Sequence, residues 1–446
     1  MSDEKPTRRE FIKKSTYGAV GAGLALNLTA AGLANAAGAN DRLHVAVMGV
    51  HNRGASLAEV FARHDEAQVD YICDVDSQVV DEAVNEIGEI QNRKPKGIED
   101  FRTVLDQTEL DALVIAAPDH WHTPAGILAL EAGKHVYVEK PCSHNAREGE
   151  LLVKAQQKYD RVVQMGNQQR SDRNTIQLMK KIHQGAIGRP YAGKAFYAND
   201  RGPIGYGKPA SVPDHLNYEL WQGPAPRTPY QDNLIHYNWH WFWNWGTGEI
   251  NNNGTHEIDL CRWALQVDYP TEVQSSGGRF HFDDDWEFYD TQIATFKFPG
   301  DKMISWEGRS CNPFRTDDRG RGAEIYGTEG SVILDRNGYQ ILNLDNEVVE
   351  EVTEETQGDQ TDITSAGSSM NAWHIDNFIK AIQQKEEQHS PIDEGHKSVL
   401  LNHLGNIALL TGRVLKTDPG NGHIRNLDNA MEHWGREYES GWEPKV

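Results

Sequence analysis

The chain has 446 residues, of which 38% are apolar and 25% charged, and this composition is typical of a water-soluble globular protein with two domains. Its 66 acidic and 44 basic residues leave a formal charge of -22 at pH 7, a balance that repels nucleic acids and anionic membrane surfaces. After the first 36 residues, no apolar run approaches the length of about 18 residues that a membrane span needs. Neither a nucleic acid nor a membrane is therefore an expected partner.

The amino terminus predicts a signal peptide for twin-arginine export. Arg8 and Arg9 precede a mild apolar stretch over 17–33, and the small-residue sequence Ala-Asn-Ala then ends at Ala36. A disordered tail or an amphipathic helix is the alternative. We expect residues 1–36 to be removed during export to the periplasm or the exterior, with the twin-arginine machinery as a partner.

The next part of the chain alternates short β-branched runs with segments of helical periodicity. The predicted strands are 43–48, 69–73, 112–116, 135–138 and 161–165. The predicted helices are 53–63, 77–90, 123–132 and 145–158. This alternation predicts a doubly wound parallel sheet, a Rossmann domain over residues 37–168.

A glycine-containing turn follows the first predicted strand. Gly49 and Gly54 occupy the outer glycine positions of a dinucleotide-binding turn, and His51 replaces the middle glycine, so the motif alone is degenerate. An ordinary strand-to-helix turn is the alternative. Together with Asn52 and Arg53, these residues are predicted to bind the cofactor, whose pyrophosphate would lie at the helix N-terminus.

Asp74 strengthens the cofactor prediction. It ends the second predicted strand, 20 residues after Gly54, where an acid accepts hydrogen bonds from a ribose diol and repels a 2′-phosphate. NAD is therefore favoured over NADP. Because the twin-arginine route carries folded proteins, the cofactor can be loaded before export, and we expect it to be tightly bound.

Another polar segment follows the third long apolar strand. Pro118, His120 and His122 are predicted to form a wall for the nicotinamide half of the cofactor, because ligands of this fold bind at the carboxyl ends of the strands. Helix capping by Asp119 or Thr123 is the alternative. The two histidines have no third ligand nearby in sequence, so no metal site is predicted.

Glu139 and Lys140 come directly after the strand predicted over 135–138. An ammonium group at this position stabilises an alkoxide that develops on a reacting carbinol, and it can also move a proton. Glu139 is assigned to the cofactor site beside it. A solvated ion pair between the two residues is the alternative.

The sequence over 121–141, which ends in Glu-Lys-Pro, resembles the Gfo/Idh/MocA family of glucose-fructose oxidoreductase and inositol dehydrogenase, and residues 322–330 also fit that family. The resemblance covers essentially the whole chain after the signal. It implies a Rossmann domain followed by an α/β domain with an open sheet face, NAD or NADP as cofactor, and sugar, cyclitol or glycoside substrates. In that family the lysine of the motif is catalytic, which assigns this role to Lys140.

The remainder, residues 169–446, is predicted to be a substrate-binding α/β domain. Its predicted strands lie near 272–281, 290–298, 302–308, 322–327 and 331–335. They favour a large, mostly antiparallel sheet with one covered face, and cover for the open face favours a homo-oligomer. A late helix over 398–415 is expected to pack back on the body, and the acidic run 350–362 to be a solvated loop.

The segment over 248–259 supplies the rest of the predicted catalytic group. Family dehydrogenases have Asp-x-Gly-x-His here, whereas this chain has Asn252 and His256. Because an amide cannot accept a proton, the proton path must run through His256, Lys140 or water. His256 is the candidate general base, with a capping or buried histidine as the alternative. Asp259 is assigned to the substrate site, or else faces a neighbouring element.

Substrate contacts are further predicted for Arg170, Trp239 and His240. Residues 238–245 contain five aromatic side chains, which suit the apolar faces of sugar rings and serve equally well as core. Arg170 follows the last Rossmann strand, where it binds substrate or simply bridges the domains.

These patterns predict an NAD-dependent oxidoreductase that transfers a hydride between nicotinamide and a secondary hydroxyl of a sugar, glycoside or cyclitol. One alternative is an NAD-dependent glycoside hydrolase that oxidises the third sugar carbon transiently and eliminates the leaving group. Exported α-N-acetylgalactosaminidases share the family fold and a similar Thr-His segment. The second alternative is a non-catalytic sugar-binding protein.

Overall fold

A parallel sheet forms the first half of the fold, as the sequence predicts. The computed structural model describes residues 42–353 and 369–446, so the predicted signal peptide lies outside the described residues. The first sheet has six strands in the order β3-β2-β1-β4-β5-β6. In chain order they are β1 (Leu43–Met48), β2 (Ala67–Cys73), β3 (Lys96–Ile98), β4 (Ala112–Ile115), β5 (His135–Val138) and β6 (Val163–Met165).

Four helices connect the strands of this sheet. They are α1 (Arg53–Arg63), α2 (Ser77–Gln91), α3 (Asp119–Glu131) and α4 (Ala146–Tyr159). Three of them match the predicted spans to within one residue at each end. Strand β3 was not predicted, because three residues with Lys96 and Gly97 among them carry no apolar run.

Helix α3 starts earlier than the sequence pattern indicates. It begins at Asp119, and Thr123 does not cap it, since its hydroxyl donates to the carbonyl oxygen of Cys142 at 2.9 Å. Pro124 therefore lies inside the helix and has no N–H to donate to the carbonyl oxygen of His120. Arg436 Nη2 donates to that oxygen at 2.8 Å instead, so a distant side chain replaces the missing bond.

The second sheet has nine strands in the order β14-β13-β12-β11-β7-β10-β9-β8-β15, and only the β7–β10 pair is parallel. Its strands are β7 (Pro190–Ala198), β8 (Glu272–Gly278), β9 (Thr291–Phe298), β10 (Lys302–Arg309), β11 (Arg321–Gly327), β12 (Gly330–Leu334), β13 (Gly338–Asn343), β14 (Val348–Thr353) and β15 (Leu415–Lys416). The prediction of a mixed α/β fold with a second, mostly antiparallel sheet is confirmed.

Strand β14 corrects the prediction for the acidic run. Val348–Thr353 pairs with β13, so the first residues of that run are an edge strand rather than a loop, and residues 354–362 lie outside the described residues. The strand was missed because Glu350 and Glu351 interrupt its apolar pattern. Charged side chains are common on edge strands, where they discourage pairing with another chain.

The described residues contain six further α-helices. They are α5 (Arg173–His183), α6 (Tyr218–Gln222), α7 (Gly248–Asn252), α8 (Gly254–Leu265), α9 (Ser369–Ile382) and α10 (Ile392–Thr411). Helix α10 begins before the predicted start at residue 398 and joins the two sheets, because Val399 packs in the Rossmann core and Leu400 in the core of the second sheet. The described residues from Leu43 onward form one compact unit, and the predicted boundary at 168 stays a prediction.

Residues 199–246 form a long, mostly irregular segment, which we call the strap. It leaves the second sheet after β7 and returns to the Rossmann sheet, where the amide of Ser77 donates to the carbonyl oxygen of His215 at 2.9 Å. The strap has its own apolar cluster, which includes Trp221, Trp239 and Trp245. It is therefore held to the Rossmann domain by backbone bonds and by packing.

The second sheet leaves part of one face exposed. Ile293 on β9 is 53% exposed and Met303 on β10 is 39% exposed. Among the residues that the structure describes, no helix combines the length and apolarity that crossing a membrane requires.

Candidate active site

A cavity of about 1010 Å³ lies at the carboxyl ends of the Rossmann strands, with the strap and the second sheet forming its other walls. Its predicted lining residues are Gly49, His51, Asn52, Arg53, Asp74, Pro118, His122, Glu139, Lys140, Trp239, His240, Asn252 and His256. Ligand crevices of doubly wound sheets occur at this edge. The fold thus brings together most of the predicted site.

The turn between β1 and α1 requires both glycines. Gly49 has a φ of +84°, and a Cβ added there would lie 2.4 Å from the amide nitrogen of Ala117. A Cβ on Gly54 would lie 1.8 Å from the carbonyl oxygen of Gly49, so Gly54 closes the turn without lining the cavity. The N-terminus of α1 is therefore free of side-chain obstruction from the turn and suits a pyrophosphate.

Asp74 braces this turn from the end of β2. Its Oδ2 accepts a hydrogen bond from the amide of Val50 at 2.8 Å, and its Oδ1 accepts one from the amide of Asp76 at 3.1 Å. Burial raises the pKa of Asp74, and these two amides oppose the rise. Each carboxylate oxygen has a second acceptor position, so the residue can still accept hydrogen bonds from a ribose diol.

Arg53 and Glu139 interact first with each other. Arg53 Nε donates to Glu139 Oε1 at 2.8 Å, and the same oxygen accepts from Gln168 Nε2 at 3.2 Å. Burial opposes ionisation of Glu139, but Arg53 and Lys140 outweigh it, and the pKa of Glu139 falls below its usual value. The ion pair sets the floor of the cavity beside the turn.

Lys140 is held by a single residue of the second half of the chain. Its Nζ donates to the carbonyl oxygen of Asn252 at 2.7 Å and to Asn252 Oδ1 at 2.8 Å. A neutral amine has two hydrogens, which these oxygens fix, and one lone pair that remains for a substrate proton. Asn252 ends α7, where helix carbonyl groups favour a positive charge.

The charge of Lys140 is easily lost. Burial lowers its pKa to about 8, Glu139 and Asp119 oppose the shift, and Arg321 and Arg336 add to it. Near neutral pH the residue can therefore act both as an ammonium that stabilises an alkoxide and as an amine that accepts a proton.

His256 lies 4% exposed in the first turn of α8 and lines the same cavity. Its Nε2 has no hydrogen-bond partner among residues 42–353 and 369–446. Burial lowers its pKa far below the usual value, and Arg336 and Lys140 lower it further. The imidazole is therefore neutral near pH 7, where Nε2 can accept a hydrogen bond but takes up a proton only reluctantly.

Two arginines of the second sheet complete this part of the cavity and were not predicted. Arg321 starts β11 and donates through Nε to Glu257 Oε1 at 2.7 Å. Arg336 follows β12 and is 6% exposed; burial and the nearby Arg321 lower its pKa to about 9. No local motif marks either residue, since both reach the cavity only through the pairing of the second sheet.

The predicted nicotinamide wall is only partly correct. Pro118 and His122 line the cavity, but both ring nitrogens of His122 lie within 2.7 Å of backbone oxygens, those of Pro141 and Ala117. His120 is fully buried outside the cavity lining, and its Nε2 lies 2.9 Å from the carbonyl oxygen of Trp221. It anchors the strap, because α3 turns its side chain away from the crevice.

The aromatic segment serves mainly as core. Trp239 and His240 line the cavity, in a short 3-10 turn rather than a strand, whereas Trp241 is 1% exposed and stacks on Trp286 with ring centroids 3.9 Å apart. Burial lowers the pKa of His240 to about 3. Of the predicted aromatic platform, Trp239 is the member that reaches the cavity.

Arg170 and Asp259 do not line the cavity, and their assignment to the substrate site stays a prediction that the cavity does not support. Arg170 donates to both carboxylate oxygens of Asp259, at 2.7 and 2.8 Å, and Ser398 Oγ donates to Asp259 Oδ1 at 2.6 Å. This buried pair joins the end of the Rossmann domain to α8 and α10. The sequence could not show that Arg170 and Asp259 bind each other, because an ion pair between distant elements leaves no local pattern.

The strap also contacts the turn between β1 and α1. The ring of His236 stacks on that of His51 with centroids 4.1 Å apart, and His236 Nε2 lies 3.1 Å from Asp76 Oδ2. These contacts place the strap over the end of the cavity that contains Asp74. The strap therefore covers the cavity at the end where Asp74 lies.

Two family models match the chain. Residues 43–167 match an oxidoreductase family with an NAD-binding Rossmann fold, and residues 175–333 match the GFO/IDH/MocA C-terminal domain, so that together they span more than half of the chain. The chain belongs to the Gfo/Idh/MocA family. This agrees with the resemblance seen in the sequence and with the two-sheet fold.

Known relatives of this Gfo/Idh/MocA protein include hydrolases. It is 30% identical to a glycosyl hydrolase family 109 protein of Saccharopolyspora erythraea over 167 residues, 36% of each chain. It is 27% identical to an α-N-acetylgalactosaminidase of Shewanella oneidensis over 213 residues, 43% of this chain and 46% of that one. The chain thus spans less than half the length of these curated relatives.

Solved structures share the fold. The WlbA dehydrogenase of Bordetella pertussis, in complex with NADH and UDP-GlcNAcA, superposes with a TM-score of 0.63 at 20% identity, covering 84% of this chain and 99% of that one. A levoglucosan dehydrogenase in complex with NADH and levoglucosan gives 0.64 at 18% identity, with the same coverage. At these identities the likeness shows a common fold.

Proposed function

We propose that this chain is an NAD-dependent oxidoreductase that transfers a hydride between nicotinamide and a secondary hydroxyl of a sugar, glycoside or cyclitol. One observation carries the proposal. The buried Nζ of Lys140, fixed by both oxygens of Asn252, lines the same cavity as the glycine turn and Asp74. A turn that suits a dinucleotide and an amine that can gain or lose a proton thus lie in one crevice.

The residues present fit NAD. The turn over 49–54 would hold the pyrophosphate and Asp74 the ribose, and NAD is favoured over NADP because the Asp74 carboxylate repels a 2′-phosphate. When bound, NAD supplies the acceptor for a hydride from carbon. The strap, stacked on His51 through His236, would slow exchange of the cofactor, so we propose that it is tightly held.

Lys140 and His256 divide the work on the substrate. Lys140 in its ammonium form stabilises the developing alkoxide, and in its amine form it takes the hydroxyl proton at Nζ. His256, neutral and with a buried Nε2, accepts a hydrogen bond from the hydroxyl, and because its pKa is lowered far more it is a weaker proton acceptor than Lys140. Asn252 orients Lys140 and exchanges no proton.

Sugars suit the rest of the cavity. Trp239 offers an apolar face, and Arg321 and Arg336 offer hydrogen-bond donors. Two structural neighbours of the same fold were solved with UDP-GlcNAcA and with levoglucosan, which supports a carbohydrate substrate.

A second candidate is an NAD-dependent glycoside hydrolase. It is favoured by the glycosyl hydrolase family 109 relatives, among them an α-N-acetylgalactosaminidase. A hydrolase that oxidises and then reduces its sugar within one turnover needs no exchange of cofactor, which the covering strap also suits.

We further propose that the protein is exported by the twin-arginine route to the periplasm or exterior and that it associates as a homo-oligomer. The paired Arg8 and Arg9 support the export, although residues 1–36 lie outside the described residues. The exposed Ile293 and Met303 on the second sheet support the association.

The test uses the full-length chain, expressed with its amino-terminal segment and purified from the exported fraction. A panel of p-nitrophenyl α- and β-glycosides of glucose, galactose and N-acetylgalactosamine, together with levoglucosan, is incubated with the protein and NAD. Accumulation of NADH in proportion to sugar oxidised supports the dehydrogenase. Release of p-nitrophenol without net NADH supports the hydrolase, and binding of a sugar with neither product would leave only a sugar-binding protein.

A further inference from the structure

A second, smaller cavity of about 150 Å³ lies beyond the active-site wall. Its lining comes from the loop after β5, the end of the strap, α10 and the carboxyl-terminal segment. The polar residues among its lining are His144, Asn145, Thr247, His403, Asn406, His433 and Arg436. Imidazole, hydroxyl and amide groups in this number suit ordered water, and the volume holds several molecules.

This second cavity reaches solvent. His433 lies on the surface, and Leu410, another lining residue, is 41% exposed. Within the described chain no residue lines both cavities. The small cavity is therefore a separate route from the interior to the surface, with a lining that suits water.

One hydrogen bond joins the two cavities. Asp119 lines the active-site cavity, Thr247 lines the small cavity, and Thr247 Oγ1 donates to Asp119 Oδ2 at 2.5 Å. Asp119 is 4% exposed and Thr247 is 3% exposed, so the bond is buried on both sides. At this point the two cavities are separated by a carboxyl group that is hydrogen-bonded to a hydroxyl group, and both groups can transfer a proton.

Asp119 lies close to the reacting amine. Asp119 and Lys140 follow the neighbouring parallel strands β4 and β5 and line the same cavity edge. Burial raises the pKa of Asp119, while His122, Thr247 and Lys140 oppose the rise and Glu148 adds to it. A carboxyl group in this setting takes up a proton more readily than an exposed one.

The proposed reaction needs an exit for protons. Oxidation of a carbinol releases one hydride and one proton, and the proton must leave before the next turnover. Asn252, which holds Lys140, cannot accept it, and the strap covers the nucleotide side of the cavity.

We propose that Asp119 and Thr247 form a proton relay that carries the proton of the substrate hydroxyl from Lys140 to the small hydrated cavity. The inference rests on the proposed function. Both residues act through Lys140, so they are relay residues rather than catalytic ones.

The steps balance. The O–H bond of the substrate breaks and an N–H bond forms on Lys140 Nζ, and NAD, when bound, would take up the hydride. Lys140 returns a proton through cavity water to the carboxylate of Asp119. Once Asp119 is protonated, the Thr247 hydroxyl rotates away from Asp119 toward water in the small cavity. Thr247 Oγ1 then accepts the carboxyl proton from Asp119 Oδ2 and gives its own proton to that water, which restores the starting hydrogen bond. One proton is released for each hydride, and all three side chains regain their starting forms.

A purely positioning role for the same bond makes different predictions. Thr247 precedes α7 and Asn252 ends it, so Asp119 and Lys140 hold the two ends of this short helix. Asp119→Asn keeps an oxygen that accepts the Thr247 hydrogen bond but cannot carry a proton. In Asp119→Asn the hydrogen bond that positions α7 is therefore retained, whereas proton transfer is lost.

The experiment compares Asp119→Asn, Thr247→Val and Thr247→Ser with the wild type, using the most active sugar of the panel above. Asp106→Asn, an exposed acid-to-amide change, is the control. Stopped-flow absorbance follows NADH, and a pH indicator follows proton release. Asp119→Asn and Thr247→Val are expected to slow hydride transfer about 100-fold and to raise the solvent deuterium isotope effect, whereas Thr247→Ser retains most of the rate. Wild-type rates and isotope effects in the first two variants would overturn the relay.

A second readout needs no substrate. Infrared titration of the full chain follows the absorption band of protonated carboxyl groups. In the wild type, part of this band should persist above the pH at which ordinary aspartates lose their proton, and Asp119→Asn should remove that part. A band that Asp119→Asn leaves unchanged would overturn the relay even if the sugar panel gave no activity. If the panel gives no NADH and no p-nitrophenol, the proposed function fails, and this titration still decides on Asp119.

Discussion

The two halves of the active-site cavity differ in what determines them. On the Rossmann side, each site residue follows a strand directly, as Gly49 follows β1, Asp74 follows β2 and Lys140 comes two residues after β5. On the other side, Arg321, Arg336 and the strap residues reach the cavity through contacts between elements far apart in sequence. The first half depends on local backbone geometry, and the second half on the whole fold.

The largest loss of turnover is expected from a change at Lys140, on the Rossmann side of the cavity. Lys140→Met keeps the length of the side chain but removes the charge and the proton acceptor, so turnover should fall about 1000-fold or more, while nucleotide binding persists. Steady-state kinetics and mass spectrometry of the bound nucleotide measure the two quantities. Lys154→Met, an exposed change on α4, is the control. Substantial turnover by Lys140→Met would remove Lys140 from the mechanism.

A change between the halves should affect stability instead. Asp259→Ala removes both oxygens that Arg170 bonds and leaves the buried guanidinium with Glu394 Oε2, 3.7 Å from Nη2, as a weaker carboxylate partner, which should lower the free energy of unfolding by about 3 kcal/mol. Denaturant unfolding measures this loss, and Arg170→Met with Asp259→Leu should recover much of it. Because neither residue lines the cavity, KM for the sugar should not change in Arg170→Met/Asp259→Leu. A selective rise in KM would restore their assignment to substrate.

The glycine turn allows a matched pair of variants. Gly49→Ala combines a positive φ with a Cβ contact of 2.4 Å, whereas Gly185→Ala has a φ of +94° and nothing within 4 Å. Gly185→Ala should lower the free energy of unfolding by about 1 kcal/mol, because only backbone strain acts there. Gly49→Ala should cost more and should also lose the copurified nucleotide. Equal nucleotide content in the two variants would mean that the turn is not the pyrophosphate site.

The pH dependence follows from Lys140. Burial lowers its pKa to about 8, so the amine form that accepts the substrate proton increases up to about pH 8. Below that pH, kcat/KM for sugar oxidation should rise about tenfold per unit, and above it the rate should level off. A profile governed by a group with a pKa near 6 would assign the proton acceptor to another residue.

The smallest expected effect concerns the strap. His236→Ala removes the stack on His51 and the contact with Asp76, so bound nucleotide should dissociate a few times faster, by roughly 0.5–1 kcal/mol of lost interaction. Fluorescence of released NADH measures the rate. His183→Ala, on α5 and outside the cavity lining, is the control. An unchanged rate would show that the strap does not retain the cofactor.

Sequence alone predicted the parallel sheet, its helices and the positions of Gly49, Asp74 and Lys140, because strand ends and their motifs are local. It missed β7, which Pro190 and Gly193 disguise, and it missed Arg321 and Arg336, which become neighbours only through sheet pairing. It also assigned His120 and Arg170 to ligands, whereas buried contacts with distant elements account for both.

The central claim is a nicotinamide dinucleotide bound beside Lys140. Mass spectrometry of the small molecules released from the purified, full-length wild type tests it most directly, with Gly49→Ala measured in parallel. We predict close to one NAD or NADH per wild-type chain and little in the variant. No nucleotide in the wild type, even after incubation with NAD, or the same amount in both proteins, would contradict the account.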